Sequence, residues 1–296
     1  MARLFDAYVI VDWSAASKPT TGADSIWICA LKRDVRFRLT PVLHNPPTRA
    51  EAAALLRQML ADFARLGERA LVGFDFPLGF PRGAAAALNL QKAPPWRAML
   101  DFVAAEMRDK PDNTNNRFQI AAKMNRLMTG EAFPFWGAPA RDEQTTLKAK
   151  RVREHHEGDL PEFRYAEAAL KGVQSIWKTY YQGSVGGQAL TGMPIVRQLK
   201  EAGGDRIRIW PFETGWRALH TEDLDGVEAV FAEVWPSMLA SSPAAGEVKD
   251  AAQVRALAQH FAALDEQNRL AALFGPQKHA APREVVENEE GWILGG

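Results

Sequence analysis

The segment Tyr8-Val9-Ile10-Val11-Asp12 constrains the fold more than any other part of the chain. Four consecutive apolar side chains with no polar alternation read as a strand buried on both faces, the kind that occupies the centre of an α/β sheet. A carboxylate cannot remain inside such a strand without a partner. Asp12 therefore belongs where the strand emerges, and in open α/β sheets ligands gather beyond the C-terminal strand ends. Taken alone, an Asp in this position is more often a turn cap, here with Ser14. The weight changes because the pattern recurs.

Ser25 to Leu31 reads as a second strand and Val35 to Leu43 as a third, with Val35, Phe37 and Leu39 alternating and Lys32-Arg33-Asp34 as the turn between them. Thr48 and Glu51 form a capping-box pattern. They open a helical stripe (Ala52, Leu55, Leu56, Met59, Leu60, Phe63) that ends near Gly67. Ala70 to Phe74 then delivers a second carboxylate, Asp75, into a Phe-Pro-Leu-Gly turn. Parallel pairing of the first and fourth strands through the crossover helix sets Asp12 beside Asp75 at one sheet edge. Two carboxylates that close repel unless a cation or a proton separates them.

From Arg82 to Gly204 helical patterns dominate: Trp96 to Met107, Arg117 to Met128, Tyr165 to Tyr181 and Ile195 to Ala202. This divides the chain into a core of about residues 4–81 and 205–275, a helical insertion of about 82–204, and a tail at 276–296. Gly183 to Pro194 is too rich in glycine for a regular element. It is either a structural turn or a place where backbone N–H groups approach an anion, and it fits neither the P-loop nor the dinucleotide fingerprint. Strands resume at Arg206 to Glu213 and at Ala229 to Pro236. Glu213 precedes a Thr-Gly turn, whereas Glu233 stands inside an otherwise apolar run. The last helix spans about Glu247 to Phe274 with Asp250 in its first turn, where the helix dipole favours an acid. The tail, with Trp292 and Ile293, closes as a strand or stays loose.

Thirty-six Lys and Arg balance thirty-six Asp and Glu, so no net field recruits nucleic acid or an anionic surface. A nucleic-acid or nucleotide partner would need a local patch, for which Arg117, Lys123, Arg126 and the run Lys148 to Arg153 are candidates. The single Cys29 excludes an internal disulfide and suits a reducing compartment. With no secretory leader and no apolar run of membrane length, the expectation is a cytoplasmic protein without membrane contact and of undetermined oligomeric state.

Asp12, Asp75, Glu233 and Asp250, with Glu213 in reserve, are oxygen donors suited to Mg²⁺ or Mn²⁺, which keep several waters and need few protein ligands. Such ions serve phosphodiester cleavage. Six His without ligand spacing disfavour zinc, and no G-x-S-x-G elbow is present for a serine hydrolase.

Three strands, a crossover helix, a fourth strand carrying Asp and a late helix carrying Asp resemble the ribonuclease H-like fold. More narrowly, Val11-Asp12-Trp13, Phe74-Asp75-Phe76-Pro77-Leu78-Gly79, Ala232-Glu233-Val234-Trp235-Pro236 and Lys249-Asp250-Ala251 are similar to motifs of the family called domain of unknown function 429. That family has predicted nuclease members. The resemblance implies an α/β, ribonuclease H-like mixed sheet flanked by helices, and a metal-dependent nuclease or phosphodiesterase. Trp13 stands where the family often has a small residue, Trp235 where it usually has His, and Asp250 lacks the second acid often seen beside it. The competing expectations are a catalytically silent binding or scaffold protein of the same fold, and a phosphotransferase of the actin/sugar-kinase superfamily.

Overall fold

The computed structural model describes residues 3–296 apart from 35, 37, 92, 171, 278 and 279. The chain is an α/β protein built on a mixed sheet of six strands flanked by helices. Strand β1 (Ala7–Asp12) pairs antiparallel with β2 (Trp27–Arg33), which pairs antiparallel with β3 (Leu39–His44). Helix α1 (Arg49–Leu66) then crosses back to β4 (Ala70–Phe74), which lies parallel to β1 with Val11 opposite Phe74. Between β4 and β5 the chain forms α2 (Ala84–Ala87), α3 (Pro95–Glu106), α4 (Arg117–Met128), α5 (Tyr165–Ala169) and α6 (Val185–Gly203). Strands β5 (Ile207–Ile209) and β6 (Ala229–Glu233) complete the order β3-β2-β1-β4-β6-β5, and α7 (Lys249–Glu266), α8 (Leu270–Leu273) and α9 (Arg283–Val285) follow.

The alternation of side chains along each strand explains why β1 and β4 carry no polar face. Ala7, Val9 and Val11 of β1, with Ala70, Val72 and Phe74 of β4, join one core under α1, α3, α4 and α6. Tyr8 and Ile10, with Leu71, join a second core on the opposite face under α7, whose Val254, Leu257, Ala258 and Phe261 cover it. With both faces buried, polar character can enter only at strand ends.

Helix α1 follows its sequence signals: Thr48 Oγ1 accepts from the Glu51 N–H, and Gly67, at φ 68°, ends it in the left-handed region. Other elements differ from expectation. β2 continues through Arg33, because the turn is made one residue later, where the Asp34 carboxylate accepts from the Arg36 and Arg38 amides. The strand expected from Val35 begins at Leu39, and Val35 and Phe37 lie outside the described residues. Only Tyr165–Ala169 of the expected Tyr165–Tyr181 helix forms, since Leu170 turns extended and Gly172 takes φ 89°. β5 stops at Ile209, as Pro211 lacks the N–H a longer ladder would use. The long terminal helix breaks at Asn268, with φ 56°, into α7 and α8.

The largest revision concerns Gly183 to Pro194, most of which, from Val185 on, supplies the first half of α6. A Cβ on Gly186 would sit 2.1 Å from the Ile176 carbonyl oxygen, and one on Gly192 would sit 2.3 Å from the Phe76 ring. These glycines let a helix pack directly onto neighbouring backbone and ring. The tail is not loose. Trp292, Ile293 and Leu294 are buried, and Leu294 N–H donates to the Glu233 carbonyl at 2.9 Å.

Candidate functional site

β1 and β4 lie side by side and parallel, so their C-terminal ends release Asp12 and Asp75 at the same edge of the sheet. The Asp75 N–H still donates to the Val11 carbonyl at 3.1 Å, which fixes its backbone against β1. Its Oδ1 accepts from the Trp13 amide at 2.7 Å, and its Oδ2 from Gln188 Nε2 at 3.1 Å. The same Gln188 nitrogen donates to the Trp13 carbonyl at 2.6 Å, so α6 clamps the turn after β1 to the end of β4.

The two carboxyl groups hydrogen-bond to each other. Burial raises Asp12 well above the usual carboxylate range, and the charge of Asp75 and their shared hydrogen bond push it further the same way. Burial also raises Asp75, to about 6. The hydrogen bonds it accepts from Asp12, the Trp13 amide and Gln188 hold it below its partner. The two carboxyls therefore titrate as a pair, which holds a proton more readily than two separate carboxylates would. Among the described residues neither carboxylate forms a salt bridge with Lys, Arg or His.

Asp250 stands in the first turn of α7, where its Oδ2 accepts from the Asp24 amide at 2.9 Å. Its charge is one of those that raise Asp12, so its field reaches the pair. Glu233, at the end of β6, lines the same cleft but is engaged. Arg164 donates to both its oxygens, at 2.6 and 2.8 Å, and also to Glu167 Oε1 and the Glu290 carbonyl. Burial raises Glu233 while the Arg164 charge opposes it, and Arg164 is held firmly protonated because Glu167 and Glu233 outweigh its own desolvation. Glu213 lies apart from the pair's contacts: it accepts from Lys200 at 3.0 Å and from the Ile209 amide at 2.8 Å. The structure thus joins Asp12 to Asp75, leaves Asp250 acting on them through its charge from the start of α7, and places Glu233 and Glu213 in separate ion pairs.

A cleft of about 260 Å³ opens at this edge, lined by Asp12, Asp75, Glu233, Gln188, Trp235 and Gln253 among others. Among the described residues no group of three or more His, Cys, Asp or Glu is arranged as a ready metal cage. The oxygens that face the cleft here are those of Asp12 and Asp75, a pair without a salt-bridged cation among the described residues; oxygen donors of this kind suit a hard ion better than zinc.

Several of the basic candidates are engaged within the chain. Arg117 is buried and donates to Ser17 and Asn115, while Lys123 pairs with Glu106 at 2.6 Å. The run Lys148 to Arg153 is irregular rather than helical. Arg151 is bound to Glu154 and Glu162, and Arg153 to Glu131 and Asp159.

Sequence reasoning missed Gln188, Arg164 and Arg49. Arg49 is buried, binds Asp109 at 2.5 and 2.7 Å, and donates to the Ser14 and Ala16 carbonyls, fixing the loop that leaves Asp12. Only Glu233 carried a signal, because an acid within an apolar strand implies a distant cation. Among the described residues no helix is long and apolar enough to cross a membrane. Compared with protein-family models, with curated proteins and with solved structures, the chain matches none of them.

Proposed function

We propose that the chain is a ribonuclease H-like protein, its core interrupted by a helical insertion between β4 and β5, that hydrolyses a phosphodiester with a divalent cation held by Asp12 and Asp75. The strand order, with three antiparallel strands followed by parallel ones, supports the fold assignment. One observation carries the chemistry: two carboxylates from adjacent parallel strands touch in a cleft without a counter-cation. Mg²⁺ or Mn²⁺ bound there would set positive charge against the phosphate oxygens and the attacking water. Gln188 and the Trp13 amide orient Asp75 for that role, and Asp250 adds negative charge from the start of α7. Glu233 lines the same cleft and is held by Arg164 behind it. In the reaction a water oxygen bonds to phosphorus, the ester P–O bond breaks, and the leaving alkoxide takes the proton the water gives up.

Calorimetric titration of Mn²⁺ into the wild type and into Asp12→Asn/Asp75→Asn, followed by hydrolysis of bis(p-nitrophenyl) phosphate, tests the proposal. Saturable binding and turnover lost together in the double variant are expected. Equal binding by both proteins would remove the site.

A second reading, a binding protein without catalysis, is favoured by the engagement of Glu233 with Arg164 and of Asp250 with the Asp24 amide, which leaves few free oxygens. Metal binding without turnover of any phosphodiester would establish it over the first.

A further inference from the structure

The cleft beside Asp12 and Asp75 continues into a wall of different character. Trp235 and Pro236, directly after β6, form its apolar side, and Ser237 and Gln253 supply polar atoms next to them. Trp235 is half-buried and packs in part against the second core, so its indole is anchored rather than free. Gln253, buried on α7, gives one amide hydrogen to Ser237 Oγ at 3.1 Å. Its carbonyl oxygen has no donor among the described residues. A flat aromatic surface beside an amide is a fitting site for a neutral planar ring that carries donors and acceptors on its edge.

Size and charge restrict what such a ring can belong to. About 260 Å³ lies just below the usual range of small-molecule sites and suits one small group rather than an extended ligand. A long strand would also need a basic track, and Arg151 and Arg153 already hold carboxylates of this chain. We infer that the cleft is a single-nucleotide subsite, with the base on Trp235 and Gln253 and the phosphoester at Asp12 and Asp75. The substrate is then a mononucleotide ester or a chain end rather than the interior of a nucleic acid. This rests on the phosphodiesterase reading for the phosphate end, while the base end can be tested without it.

Calorimetry on the metal-free full chain with adenosine, thymidine and ribose isolates the base end. A nucleoside is expected to bind at least ~10-fold more tightly than ribose. Trp235→Ala should abolish that preference and Trp235→Phe should keep most of it, with Mn²⁺ binding the same in both. Because truncation could disturb the wall, Gln253→Leu provides an independent check and should lower nucleoside affinity with Trp235 intact. With Mn²⁺ present, a nucleoside 5′-monophosphate should outbind both ribose 5-phosphate and a 20-nucleotide single strand, with a shallow salt dependence. Equal binding of nucleoside and ribose would overturn the subsite even if bis(p-nitrophenyl) phosphate is cleaved. Tighter binding of the 20-mer with a steep salt slope would overturn the restriction to a single nucleotide. Absence of Mn²⁺ binding beside an intact nucleoside preference would instead remove the phosphodiesterase reading and leave the base site.

Discussion

β1, β4 and β6 end at the same edge of the sheet, and an acid stands at the end of each: Asp12, Asp75 and Glu233. Their environments are opposite. Glu233 meets a guanidinium, that of Arg164, which also binds Glu167 and the Glu290 carbonyl, so its charge is answered by one cation tied to two other parts of the chain. Among the described residues Asp12 and Asp75 meet each other, neutral donors and the charge of other acids, with no cation in a salt bridge to either. The first arrangement joins α5 and the C-terminal tail to the sheet. The second leaves charge unanswered in a cleft, a condition that costs stability unless something from outside relieves it. A shared position at a strand end therefore does not make a shared role, and the identity of the partner decides it.

The largest effect should come from breaking the answered charge. Arg164→Met strands Glu233 and Glu167 in the interior and should cost ~3–5 kcal/mol, read as a lowered urea midpoint or as failure to accumulate folded protein. Asp12→Asn/Asp75→Asn should do the reverse at the neighbouring strands, with no loss of stability at neutral pH and a loss of Mn²⁺ affinity of at least ~100-fold. If Arg164→Met proved harmless while the Asp pair proved essential for folding, the contrast between the two regions would fail.

The contrast also marks how far the sequence could be read. The strand ends of Asp12 and Asp75 were legible because both follow short apolar runs joined by one well-signalled helix, and right-handed crossover connections leave little freedom in how those strands pair. Glu233 announced a missing cation, but thirty-six Lys and Arg were available and Arg164 sits in an unremarkable stretch before a five-residue helix. Gln188 was hidden for another reason. Gly183, Gly186, Gly187 and Gly192 look like a break in local terms, and their use in letting α6 approach Ile176 and Phe76 exists only in the tertiary structure. Local propensity was overridden there by packing.

A smaller effect concerns pH. Asp75 is raised to about 6 and Asp12 well above its ordinary value, so between about pH 4 and those values the folded chain holds more protons than the unfolded one. Stability from this pair therefore falls as pH rises through that window, the opposite of an Asp stabilised by a cation. Glu247, lowered to about 2 mainly by its hydrogen bond with Arg255, behaves in the ordinary sense and loses its contribution as pH falls toward that value. The difference in unfolding free energy between Asp12→Asn/Asp75→Asn and the wild type should be near zero at about pH 4 and grow to ~3 kcal/mol in the variant's favour by about pH 8. Saturating Mn²⁺ should erase that gain by stabilising only the wild type. A difference independent of pH would mean that the two carboxyls do not share a proton.

The smallest effect should come from the basic run. Arg153 is paired with Asp159 and Glu131 at the surface, where ion pairs are screened and exchange readily with water. Arg153→Ala should leave the urea midpoint unchanged within error. It should also leave nucleotide binding unchanged, because its guanidinium is engaged with carboxylates of its own chain rather than offered to a ligand. A fall in oligonucleotide affinity in this variant, with a salt slope reduced by about one, would show that the pair opens to receive phosphate. The unanswered charge at β1 and β4 would then face an answering patch on the segment between β4 and β5, and the substrate would span both.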